Sequence, residues 1–119
     1  MEAIPHEHEL MSKFKEGDAH AFQEIHQLYF PLMCFFAEKI VRSAEDAKDI
    51  ASEVFAKLWA RHDKFDTLIN VKAFLYITTR NLCLNYLRKT QVRKQADQEL
   101  PTPASEDPRP AIALAETYR

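Results

Sequence analysis

The sequence predicts an all-α protein, a compact bundle of three to five helices over residues 1–95 with a Pro-rich C-terminal tail over 96–119. Three observations carry that expectation. Apolar residues recur at three- and four-residue intervals, the spacing that lines one face of a helix. No stretch alternates apolar and polar residues as a half-buried strand would. The helix breakers cluster: Gly17 is the one glycine, and four of the six prolines fall at Pro101, Pro103, Pro108 and Pro110.

Leu10, Met11 and Phe14 give a short amphipathic turn that stops at Gly17, a residue suited to ending a helix in the left-handed conformation. Asp18 offers an N-cap for a second helix, with Phe22, Ile25 and Tyr29 at helical spacing. Pro31 is expected to kink that helix or begin a new one, and Leu32, Phe35, Phe36 and Ile40 extend the apolar face beyond it. The clearest helix start is Ser43. There Ser43-Ala44-Glu45-Asp46 is a short-acid version of the capping box, followed by Ala47, Ile50, Val54 and Leu58 on one face as far as about Arg61. Residues 62–69 read as a loop, and Asn70 is expected to cap a last helix that fades near Lys94. That helix carries Phe74, Ile77, Leu82, Leu84 and Leu87. Beyond Gln95, prolines mixed with acids describe an extended linker, with Ala111–Arg119 able to start one more helix.

Composition removes several function classes. A single glycine builds neither a dinucleotide fingerprint nor a phosphate-cradling loop, which need several at fixed offsets. Cys34 and Cys83 lie far apart in apolar runs, outside any CxxC pair, and are expected to be buried, reduced thiols. No apolar run reaches the roughly 20 residues that span a bilayer, and the acidic N-terminus lacks a signal peptide's order, so a cytoplasmic protein is expected. Five histidines include no HExxH or Glu-x-x-His pair. No metal site or cofactor is expected, and His20, His26 and His62 read as surface residues. Glu45, Asp49 and Glu53 place three carboxylates along one helix face, a pattern that suits solvent or a basic partner better than acid–base chemistry. An enzyme is not expected.

Charge is divided along the chain. Residues 1–66 hold eight Lys/Arg against thirteen Asp/Glu, residues 67–96 six against none, and residues 97–119 two against five. One small domain therefore carries two electrostatically different surfaces. The acid-free stretch interleaves Lys72, Phe74, Tyr76, Arg80, Asn81, Asn85, Tyr86, Arg88, Lys89, Arg93 and Lys94. Single-stranded nucleic acid calls for that mixture, because cations track phosphates, rings stack on bases and amides read base edges. A solvated basic helix whose aromatics belong to the core has the same composition, and composition alone does not separate the two.

Order along the chain separates them further. Gly17-Asp18 with the following Ala21-Phe22, Tyr29-x-x-Leu32, Glu45-Asp46-Ala47-x-Asp49-Ile50, Glu53-Val54-Phe55-x-x-Leu58-Trp59 and Phe74-Leu75-Tyr76-x-x-x-Arg80-Asn81 occur in series. In these five pieces, over about residues 10–94, the chain resembles region 2 of the extracytoplasmic-function (ECF) sigma factors. The resemblance implies a sigma region 2-like bundle that docks on the clamp helices of the RNA polymerase β′ subunit through residues 44–61. Asp46, Asp49, Glu53, Lys57, Leu58 and Trp59 are the contacts it implies, with Trp59 also able to anchor the core. Ser52 departs from the family's usual glutamine.

The same resemblance implies that the loop 62–72 and the last helix recognise and melt the minus-ten promoter element and capture a base flipped from the non-template strand. Phe65, Lys72, Phe74, Tyr76, Arg80, Asn81, Asn85, Arg88, Lys89 and Arg93 are then the DNA-binding set. Asn81 would read the base, and Arg80, Arg88, Lys89 and Arg93 would hold phosphates. Phe65 has two readings, a ring packed on the extruded base or a plug tying the loop to the core. An anti-sigma protein is a further partner the group allows. The second domain of such factors, which reads the minus-thirty-five element, has no room after residue 95, so the chain reads as a truncated piece. Two rivals remain open: a duplex-binding regulator with the last helix in the major groove, and an interaction module that touches no DNA.

Overall fold

The computed structural model describes residues 6–98, with side chains placed as far as Lys94. Four helices follow in order: α1 Glu7–Lys15, α2 Ala19–Val41, α3 Ala44–Ala60 and α4 Leu68–Gln98, with a single 3-10 turn at His62–Lys64. There is no strand among the described residues. The all-α bundle expected from the sequence is the fold observed.

Each boundary has a local cause. α1 buries Leu10, Met11 and Phe14 and sets Glu7 and Glu9 in its first turn and Lys13 and Lys15 in its last, the sense that suits the helix dipole. It closes in a Schellman motif: Gly17 N–H donates to the Phe14 carbonyl at 2.9 Å and Asp18 N–H to that of Lys13 at 3.0 Å, with Gly17 at φ +90°. Asp18 Oδ1 then accepts from the backbone N–H of His20 at 2.7 Å and Ala21 at 3.2 Å, capping α2.

Pro31 neither ends α2 nor starts a new helix. α2 runs unbroken for 23 residues because it is buried on both sides of the proline, through Ala21 and Ile25 before it and Met33, Ala37 and Val41 after it. Pro31 itself is exposed, so the one backbone bond it forgoes lies where water replaces it. Two residues turn the chain into α3. Arg42 takes the left-handed conformation at φ 61° and Ser43 Oγ accepts from Asp46 N–H at 3.2 Å.

α4 begins two residues before the expected cap. Thr67, not Asn70, is the N-cap, its Oγ1 accepting from Asn70 N–H at 3.2 Å. The cause is burial: Leu68 and Val71 are both inside, which requires the first turn to form there. The helix also outlasts Lys94 and runs to Gln98, the last described residue. The Pro-rich tail and the helix start expected at 111–119 lie outside the described residues.

α3 runs antiparallel to α2, with Trp59 against Phe22 and Phe55 against Phe30, at ring-centroid separations of 4.8 and 5.6 Å. α4 runs parallel to α2. Thr79 Oγ1 donates to Met33 Sδ at 3.5 Å and Cys83 Sγ to the Ala37 carbonyl at 3.9 Å, a constant offset along both helices. Ala37, Ala47 and Ala51 are fully buried and let the backbones approach, while Phe14, Ile25, Val54, Leu58, Val71 and Leu75 fill the space between. Cys83 is buried, and burial pushes its thiol up to about 11; Cys34 is half-buried, its thiol also raised by burial, and both are free.

Candidate functional site

α3 turns one row of polar side chains outward. Glu45, Lys48, Asp49, Ser52, Glu53 and Lys57 are exposed, and Lys57 Nζ lies 4.0 Å from Glu53 Oε2. An exposed pair of that kind contributes little to stability and leaves both charges available. Asp46 turns inward and accepts a hydrogen bond from the Tyr86 hydroxyl of α4. That bond is the first cause that raises the Tyr86 phenol above its ordinary value.

Leu58 is not on this face. It is 0% exposed, because it continues the inward row Ala47, Ala51, Val54 and Leu58 and supports the outer row from beneath. Adjacency to Trp59 in the sequence is not adjacency on the surface. Trp59 is half-buried, its ring 4.8 Å from Phe22 and 5.1 Å from His62. It anchors the core with one edge open.

The positive set on α4 divides between two sides of the helix. Tyr76 and Arg80 face α2: Tyr76 meets Phe36 edge-on at 5.2 Å, and Phe36, Tyr76, Ile77 and Arg80 line an apolar hollow. Asn85, Arg88, Lys89, Val92 and Arg93 line a second, shallower depression further along, where Arg88 Nη2 donates to Asn85 Oδ1. Lys72, Asn85, Lys89 and Arg93 are exposed; Phe74, Asn81 and Arg88 are half-buried. Lys72 is thus one turn from Tyr76, while Asn81 lies one turn before Asn85.

The loop between α3 and α4 is anchored from inside. Phe65 is buried and meets Phe74 edge-to-face at 5.3 Å. Of its two readings, the plug is the conformation present. Arg61, which the sequence pattern did not single out, sets its guanidinium 5.8 Å from the Phe74 ring centroid. His26 and His62 are not the surface residues expected. His26 stacks on Phe30 at 4.4 Å, and His62 packs against the rings of Trp59 and Phe14. His20 is exposed. No group of His, Cys, Asp and Glu among the described residues is arranged to hold a metal ion, and no described helix is long and apolar enough to cross a membrane.

An outward acidic row on one helix and cations interleaved with amides on the next form the arrangement to be matched. The model of the family described as sigma-70 region 2 matches residues 25–93, more than half of the chain and all but the start of α2 through most of α4. The chain belongs to the sigma-70 region 2 family.

Among curated proteins, this sigma region 2 chain is similar to the ECF RNA polymerase sigma factor SigW of Bacillus subtilis (strain 168), 27% identical over 90 residues. The alignment covers 76% of the chain and 48% of SigW, so the chain spans about half the length of that relative. Family and relative together support a region 2 domain of the ECF type. No solved structure matches it.

Proposed function

We propose that this domain binds RNA polymerase core through α3 and holds the melted non-template strand of the minus-ten promoter element on α4 and the loop before it, in transcription initiation. The observation that carries the reading is the separation of the two charges. Asp49 and Glu53 are exposed on α3 instead of being neutralised against the cations of α4. Had the domain paired them internally, no surface would remain for either partner.

On this reading Asp49, Glu53 and Lys57 meet the β′ clamp helices beside the open edge of Trp59, and Asp46 fixes the spacing of α3 and α4 through Tyr86. Asn81 and Asn85 read base edges, while Lys72, Arg80, Arg88, Lys89 and Arg93 hold phosphates. Phe65 serves from within, fixing the loop. Flipping a base costs a few kcal/mol, offset by stacking and edge contacts in the pocket that receives it. Residues 1–95 are the working domain and the acidic, Pro-rich residues 96–119 a linker.

A pull-down with a β′ clamp-helix fragment tests the first half. Asp49→Lys with Glu53→Lys is expected to abolish retention; retention equal to the parent's would mean α3 is not the docking face. Fluorescence titration with the minus-ten sequence as single strand and as duplex tests the second. Tighter binding of the single strand is expected, and a preference for duplex would favour a major-groove reader instead.

A further inference from the structure

The loop that precedes α4 is held by an element outside the stretch that carries the family match. That match begins at residue 25, inside α2, and leaves out α1. Yet the C-terminal turn of α1 reaches the loop at two points. His62 Nδ1 lies 3.0 Å from the Lys15 carbonyl, one of the last carbonyls of α1, which have no partner within the helix. A carbonyl only accepts, so Nδ1 carries the proton and donates. Lys15 Nζ lies 2.5 Å from Asp66 Oδ1. One residue of α1 thus ties the loop at 62 and at 66, bracketing the buried Phe65.

The fit around His62 is close. Its ring is edge-on to Phe14 at 6.2 Å and 5.1 Å from Trp59. On the remaining side is Gly17, where a Cβ would stand 3.2 Å from His62 Cε1. The Schellman turn therefore needs glycine twice, for its positive φ and for the histidine that packs on it.

We propose that α1 is a positioning element for the nucleic-acid loop, acting through His62 and Lys15. The inference rests on the DNA reading given above and adds the residues that make it work. A loop fixed before the strand arrives has already lost its conformational freedom in folding, so binding does not have to supply that entropy. Asp63 and Lys64 at the apex stay exposed while both flanks are held. Of the two ties, the ion pair is exposed and contributes less; the histidine, half-buried against Phe14 and Trp59, contributes more.

The test compares His62→Ala, Lys15→Glu and the swap Lys15→Glu with Asp66→Lys, in the full chain, by three readouts. These are anisotropy with a single-stranded minus-ten oligonucleotide, affinity for the β′ clamp-helix fragment, and amide hydrogen exchange over residues 61–67. Losing one such hydrogen bond is expected to weaken single-strand binding about three- to tenfold for His62→Ala, with faster exchange in the loop and clamp affinity unchanged. Lys15→Glu is expected to show a smaller loss that the swap restores. Faster loop exchange with single-strand affinity unchanged overturns the proposal, as does an equal loss of clamp and DNA binding, which is the mark of general unfolding. A parent chain that binds no single strand sinks the functional reading itself, and shows before any variant is made.

Discussion

Cys83 shows how much a single position can depend on what surrounds it. In the sequence it is one apolar residue in a run of leucines. In the fold it is fully buried, with Sγ directed at the Ala37 carbonyl, and its thiol is raised from 9.0 to about 11, first by burial. The unfolded chain ionises this thiol at its ordinary value while the folded chain keeps the proton. The contribution to stability is thus complete below pH 9 and lost as pH rises toward 11. Denaturant unfolding is expected to show a steeper fall across that window in the parent than in Cys83→Ala, and equal slopes would mean that the thiol does not resist ionisation. Leu58 and Asp46 carry the opposite lesson about legibility. The family resemblance implied them as partner contacts, while the helix face turns Leu58 into the core and Asp46 toward Tyr86. Phe65 was legible as two alternatives because an aromatic beside a helix start fits either.

Among the elements, α3 was the most readable, since cap, acidic first turn and inward row all agree on where it starts and which face it buries. Ser43→Ala is expected to cost about 0.5–2 kcal/mol, the usual loss at an N-cap, measured as a lowered denaturation midpoint. A change under a few tenths would show that the Ser43 Oγ bond to Asp46 does not hold the turn. At Pro31 the sequence left a kink and a new helix start open, and the burial on either side, which local sequence does not register, rules out the new start. The start of α4 was placed late for a related reason. Thr67 and Asn70 are both good caps by type, and the burial of Leu68 chooses between them. The hold of α1 on the loop left no local trace at all. It joins residues 47 and 51 positions apart, and nothing in the spacing of His62 or Asp66 points back to Lys15.

At the scale of the whole molecule the division of charge was legible and its geometry was not. Counting placed a net negative charge before residue 67 and an acid-free basic stretch over residues 67–96. The fold adds that α4's cations and amides lie in two groups, one beside α2 with Tyr76 and Arg80, the other further along with Asn85, Arg88 and Arg93. On the proposed reading a strand crosses from one group to the other. Each phosphate contact on a single strand adds about 0.7 to the slope of log affinity against log salt. Lys89→Gln with Arg93→Gln is therefore expected to lower that slope by about 1.4 in titrations across a salt series. An unchanged slope would place the strand away from the second group.

α4 has 31 residues where α3 has 17. The pairing of Tyr86 with Asp46, near the first turn of α3, marks where its neighbours run out. At 1.5 Å per residue the twelve positions from Tyr86 to Gln98 carry the helix about 18 Å past that rim. Arg93 and Lys94 stand there with water around them instead of the low-dielectric mass of the bundle. Their field fades within a Debye length, about 8 Å at physiological salt, so this overhanging end acts on what touches it and does little to gather ligands from a distance.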